Sequence, residues 1–379
     1  MSNPSRRDSD DLSSVREIAW LRLHLITLYQ PAALQVLLNR EPDIVELFRS
    51  GASRLPWHEL PRGFQKKLAD PSFETLAQRE YEKCRERHTS IVTRLDPRWP
   101  DNFRGTPLMP LLLFARGQLE PELDPHAIAI VGSRRPTPYG RRQARRFAAE
   151  LAARGVTIVS GLARGIDGEA HAAALDARGR TVAVLGSGLD RIYPAEHRRL
   201  AESVVKDGAL VSEFPGRTAP LRHHFPQRNR ILSALAKGLL VVEAGEKSGS
   251  LLTVDWALQQ GRPVFVVPGR VEDAEARGSL RLIQSGAVPV IDPKEILECL
   301  PELAREGPKI NTEAAPTIDT MDDPLASRLR ELFRECDAWH PDALAQRLEL
   351  DPGALMRELA RWEAAGVVER ATGGRYVLR

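Results

Sequence analysis

The chain has 379 residues, 42% hydrophobic and 28% charged, which excludes wholesale disorder or a membrane-embedded protein and leaves length for two or three domains. Lysine plus arginine number 54 against 51 acidic residues, a formal net charge of +3, so any attraction for a polyanion has to be local. The three cysteines, Cys84, Cys299 and Cys336, stand far apart, with neither paired metal-ligand spacing nor a disulfide framework, and fit a reducing compartment.

The polar start MSNPSRRDSDDLSS lacks the apolar core of a signal peptide, and no later apolar run approaches the roughly 20 residues of a membrane helix. A cytoplasmic protein with no membrane partner is expected. Residues 15–88 read as a small helical domain. EIAWLRLHLITLY and AALQVLLNR carry apolar residues at helical spacing, and SFETLAQREYEKCRER closes it as a charged amphipathic helix. The stretch TSIVTRLDPRWPDNFRGTPLMPLLLFARG alternates prolines with short apolar pieces, as a strand and extended connections leading into the next unit would.

A rhythm then begins: AIAIVGS, VTIVSG, TVAVLGSG, ALVSEFP, LLVVEAG and PVFVVPG, each ending in glycine, serine or proline, with helical stretches between. Strands buried on both faces and alternating with helices predict βαβ units. Residues 89–300 should therefore form an α/β domain with a doubly wound, mostly parallel, Rossmann-like sheet. Right-handed crossovers gather the loops at the strand C-termini along one edge, where function is expected. VPVI and PKEILECL finish this domain. Residues 301–324 read as a polar, proline-containing linker. Residues 325–379 hold LASRLRELFREC, HPDALAQRLEL and DPGALMRELARWEAAG, then two β-like runs around Gly373 and Gly374, the pattern of a winged helix-turn-helix.

Five loops carry the chemistry. In VGSRRPTPYG, Gly132 permits close approach, Thr137 is an N-cap with Pro138 at the first helical position, and Ser133, Arg134 and Arg135 stand where a phosphate would meet main-chain amides. The dinucleotide fingerprint GxGxxG is absent. SGLARGID ends the second strand with Ser160 and Gly161 and offers Asp167 as a helix cap, and GSGLD does likewise after the third strand. HHFPQRNRI places Arg228, Asn229 and Arg230 at a helix start. Guanidinium forks there suit a fixed phosphate, and the competing reading is that either arginine pairs with Glu213 or Glu243 and braces the loops. EAGEKSGSLLT adds Ser248, Gly249, Ser250 and Thr253 at another helix start. Phe225 and Tyr139 are candidates for base stacking.

Catalytic signals are weak. Asp167, Glu169 and His171 read as a cap, a solvated acid and a packed histidine rather than a metal set. Ser160 and Ser187 lack the GxSxG context, and there is no GxxxxGK[ST] loop. No catalytic residue, metal or cofactor is expected.

AIVGSR, IVSGLARGID, GRTVAVLGSGLDRIYP, SEFP, FPQRNRI, VVEAGEKSGSLLT, VFVVPG and LIQSGA, in this order, resemble the DNA-processing protein A (DprA or Smf) family. The resemblance implies a non-catalytic homodimer that binds single-stranded DNA, protects incoming strands and loads the RecA recombinase in natural transformation. It also implies a SAM- or helix-hairpin-helix-like front domain and a winged-helix tail. The implied DNA pocket comprises Gly132, Ser133, Arg134, Ser160, Gly161, Arg228, Asn229, Arg230 and Ser248 to Thr253.

Departures from the family pattern are Ala236 for serine, Val254 for alanine and Leu280 for asparagine, the last removing a polar group expected near the pocket. LYQPAA replaces a glycine hairpin, which argues against DNA binding by the front domain. In the tail, Arg357 and Arg361 stand beside acids, against strong DNA contact there. The rival reading is a nucleotide or phosphoribosyl hydrolase using the same sheet edge, although PGGxGTxxE is missing. A third is a transcription factor acting through its tail.

Overall fold

The computed structural model describes residues 4–28, 44, 48, 63–106, 108–121, 124–303, 324–335, 338–364, 367–370 and 374–378. The expected helix AALQVLLNR, Cys336 and residues 304–323 of the expected linker lie outside them. Two compact units are distinguished, residues 1–135 with 144–307, and residues 136–143 with 308–379.

The first unit is built on a nine-stranded sheet in the order β1-β2-β6-β5-β4-β3-β7-β8-β9. Its strands are β1 (Ser90–Thr93), β2 (Leu112–Gly117), β3 (Ala127–Val131), β4 (Thr157–Ser160), β5 (Thr181–Leu185), β6 (Ala209–Ser212), β7 (Gly238–Val241), β8 (Val264–Val266) and β9 (Val288–Pro289). The strands from β3 to β8 match the six apolar runs, and every residue in them is buried. They pair in parallel, for example Ile128 opposite Ile158 and Ala129 opposite Leu239. This is the mostly parallel Rossmann-like architecture that continuous apolar runs predict.

The segment before β3 does more than connect. β1 and β2 pair antiparallel with each other, and β2 runs antiparallel to β6, so they extend one edge of the sheet. At the other edge, β9 is parallel to β8 and exposed, where Pro289 without an amide proton is tolerated.

Side chains alternate between two cores, as a period of two requires. Leu112, Phe114, Ala183, Leu185 and Leu210 join one core, and Leu113, Ala115, Val182, Val184 and Val211 join the other. The first core is closed by front helices: Trp20, Leu21 and Leu23 from Pro4–Thr27, Phe64 and Leu68 from Phe64–Ala69, and Ala77 and Cys84 from Ser72–Glu86. The first of these helices starts well before residue 15, where the apolar period begins. Its His24 donates from Nε2 to the Glu213 carbonyl, 2.7 Å away, beside the end of β6. The second core is closed by His224–Ala234 and Leu251–Gln259, which contribute Ile231, Leu232, Val254 and Ala257.

The second unit contains helices Pro324–Glu335, Pro341–Leu348 and Pro352–Ala364, then β10 (Val368–Arg370) antiparallel to β11 (Tyr376–Leu378). Trp362, Phe333, Leu344, Leu355 and Tyr376 share its core. Among the described residues no helix is long and apolar enough to cross a membrane.

Candidate nucleic-acid interface

A cleft of about 1000 Å³ opens at the sheet edge where β3 and β7 end. It is lined by Gly132, Ser133, Arg134 and Arg135 of the first loop, by Arg228 and Asn229, and by Ser248, Gly249, Ser250 and Thr253. Ser160, Gly161 and Arg230 are not among its lining residues.

The first loop is held by its main chain. A Cβ on Gly132 would stand 2.6 Å from Ile166 Cγ1 and 2.8 Å from the Glu243 carbonyl oxygen, so only glycine passes between them. The Ser133 amide donates to that same carbonyl at 2.7 Å, and the Ile166 amide donates back to Ser133 O at 3.1 Å. Thr137 caps the helix Pro138–Ala153, its Oγ1 accepting from the Gly140 amide at 3.1 Å. Arg134 and Arg135 are left exposed at the rim. Arg134 lies over the Phe225 ring, 5.4 Å from its centroid, and Tyr193 tilts against the same ring at 5.7 Å.

Arg228 forms the floor. It is 4% exposed, and its fork is aimed at main chain: Nη1 donates to the carbonyls of Gly161 (2.9 Å) and Val184, and Nε donates to Asn229 Oδ1 at 3.2 Å. Burial pulls the guanidinium down to about 10, against the opposing field of Asp167. Asp167 is not the expected cap. It lies inside the helix Ile166–Asp176, and its Oδ2 accepts from the Gly161 amide at 3.2 Å and the Ala163 amide at 3.4 Å, closing the loop before the helix. Burial raises its carboxyl above the ordinary range, while Arg228 and those amides pull the other way.

For Arg230 the bracing alternative describes the geometry. Its Nη2 donates to Glu213 Oε1 at 2.5 Å within the core, because residue 230 lies two positions beyond residue 228 on the helix and faces β6. Ser160, wholly buried, donates from Oγ to the Ile130 carbonyl at 2.6 Å. His171 is packed: its Nδ1 meets Thr181 Oγ1 at 2.7 Å, and burial lowers it to about 3. Among the described residues no group of histidine, cysteine and carboxylate side chains is arranged to hold a metal.

In the last of these loops, Ser248 and Ser250 share a hydroxyl contact of 2.7 Å at the start of Leu251–Gln259. Phe225 lines the cleft, whereas Tyr139 and the half-buried Leu280 are not among its lining residues. The cleft also holds Arg222 and Glu275, which lie outside the motifs, and Lys247 and Tyr193, which lie inside them but were not singled out. Arg222 follows Leu221 two residues before the helix His224–Ala234, and Lys247 sits inside EAGEKSGSLLT, so nearness to one marked loop and membership of another were the signals available. Five cationic side chains, Arg134, Arg135, Arg222, Arg228 and Lys247, thus face two carboxylates, Asp167 and Glu275. The nearly neutral chain has a cationic cleft.

The family described as DNA recombination-mediator protein A matches residues 90–301. Protein Smf of Escherichia coli is 43% identical over 284 residues, covering 74% of this chain and 75% of that protein. The DNA processing protein DprA of Bacillus subtilis is 47% identical over 193 residues, 51% of this chain and 65% of its own length. The X-ray structure of DprA from Streptococcus pneumoniae superposes with a TM-score of 0.58 at 30% identity, covering 76% of this chain and 96% of that one. A DprA structure from Helicobacter pylori, described as giving insight into a single-stranded DNA binding mode, superposes with a TM-score of 0.51 at 30% identity over 57% of this chain and 97% of that one. With the whole nine-stranded sheet, from Ser90 to Pro289, inside the matched residues, the chain belongs to the DNA recombination-mediator protein A family.

Proposed function

We propose that the protein binds single-stranded DNA along this cleft without strong sequence preference, as a mediator of recombination in natural transformation rather than as an enzyme. The observation that carries the reading is the rim: exposed Arg134, Arg135, Arg222 and Lys247 surround loops whose short side chains leave the main chain accessible. Cations of this kind attract phosphates whatever the base. Phe225, flanked by Arg134 and Tyr193, offers a ring for stacking. Family membership and the single-stranded DNA named for the Helicobacter pylori relative support the same reading.

In the same reading the protein works as a cytoplasmic homodimer, shields incoming strands and hands them to RecA. Residues 15–88 form a SAM- or helix-hairpin-helix-like accessory domain, residues 301–324 a linker, and residues 325–379 a winged-helix domain. The test is a titration with oligo-dT at two salt concentrations. Arg134→Ala should weaken binding and lower the slope of log affinity against log salt by about one, since one fewer counterion is released. Wild-type affinity and slope in that variant, or turnover of nucleoside monophosphates by the wild type, would overturn the reading.

A further inference from the structure

Arg228 is the most enclosed cation of the cleft, and its geometry differs from that of the rim. Nη1 is committed to two main-chain carbonyls, one from Gly161 after β4 and one from Val184 in β5, and Nε to Asn229 Oδ1. Asp167, 7% exposed, takes the amides of Gly161 and Ala163 with one oxygen. Gly161 therefore has its carbonyl held by the cation and its amide by the anion. It also has no room for a side chain: a Cβ there would stand 2.5 and 2.6 Å from the two Nη atoms of Arg228 and 2.6 Å from Asp167 Oδ2. A phosphate ligand needs its donors turned outward, and two of the three nitrogens are turned inward.

We propose that Arg228 and Asp167 are a positioning pair, in which the cation, through Nη1 on the Gly161 and Val184 carbonyls, and the carboxylate, through Oδ2 on the Gly161 amide, hold the Gly161 main chain between them and so set the spacing of the β4 and β5 loops under the DNA, without Arg228 pairing with a phosphate. The proposal rests on the single-stranded DNA reading above and assigns the phosphate contacts to the exposed rim. Lysine cannot replace the fork, because one ammonium on a flexible stem does not hold two carbonyls and an amide oxygen at fixed angles. The clamp acts through Gly161, so disturbing Gly161 should have the same effect with every charge retained.

The experiment measures oligo-dT affinity of the full chain across a salt series for wild type, Arg134→Ala, Arg228→Lys and Gly161→Ala, with melting temperature recorded for each. Expected is a loss of about tenfold or more in Arg228→Lys and in Gly161→Ala, because a displaced loop misplaces several contacts at once. Their salt slopes should equal that of wild type, while Arg134→Ala lowers the slope. A contribution to folding alone would lower melting without changing affinity below the transition, and that result overturns the proposal. So does wild-type affinity in Arg228→Lys, or a slope lowered by about one as for a phosphate contact. If Arg228→Lys does not fold, Gly161→Ala decides by the same criteria. Should Arg134→Ala bind as wild type does, the single-stranded DNA reading fails. Should only Arg228→Lys and Gly161→Ala do so, the positioning pair fails and that reading stands.

Discussion

Arg230 and Glu213 meet at 2.5 Å with both side chains 5% exposed, joining the helix His224–Ala234 to the end of β6 inside the protein. Gln227 reaches the other Glu213 oxygen at 3.2 Å, and Arg230 Nη1 is buried without a hydrogen-bond partner among the described residues. Removing one member of such a pair strands the other charge away from water. Arg230→Ala should therefore cost about 3–5 kcal/mol of stability, read from urea denaturation. Oligonucleotide affinity of the folded protein should stay within about twofold. An unchanged denaturation midpoint would show that the pair does not hold these elements together.

The imidazoles impose a pH dependence. Burial lowers His171 to about 3, so it stays neutral in the fold, and shifts His24 in the same direction, while the unfolded chain takes up protons near 6.5. Stability present above that value is lost as the pH falls through it, by about 2 kcal/mol at pH 5 from His171 alone. Denaturation at pH 7.5 and pH 5 should reveal the loss, and His171→Asn should reduce it. Comparing the two proteins separates the imidazole from Asp167, whose raised carboxyl acts in the opposite sense. Equal pH dependence in both would rule out His171 as the source.

Gly132→Ala places a methyl group against the Glu243 carbonyl and the Ile166 side chain, and the carbonyl is main chain with little freedom to retreat. We expect a loss of about 1–3 kcal/mol, seen as a lower melting temperature. A variant as stable as wild type would mean the two strand ends are not in tight contact.

Phe225→Ala removes the ring between Arg134 and Tyr193 while leaving every charge in place. If a base stacks there, affinity for oligo-dT should drop by about 1–3 kcal/mol with the salt slope unaltered. Filter binding or fluorescence anisotropy over a salt series distinguishes this from a lost phosphate contact, and undiminished affinity would remove the stacking role.

How much of this was legible in the sequence depended on range. The strands from β3 to β8 were legible because burial on both faces writes a continuous apolar run, as in Ala127–Val131. Of β1 and β2 only one strand was legible, because TSIVT and LLLFARG are separated by prolines, and that β2 joins β6 while β1 joins β2 is a long-range choice. In the site, the glycine and serine loops were legible as places of close main-chain approach. The inward turn of Arg230 was left open, since two residues along a helix change the direction of a side chain by about 200° and only Glu213 decides which neighbour meets it. Arg222 and Lys247 belong to no periodic pattern, and only the folded loops bring them together.

The front helices and the sheet hold one hydrophobic interior in common, with Trp20 and Leu21 packed in the same cluster as Leu112, Phe114 and Leu210. For anyone preparing fragments, a cut just ahead of Ser90 would strip the cover from those strand residues and invite aggregation, whereas a cut beyond Leu303 removes none of the described residues of that interior.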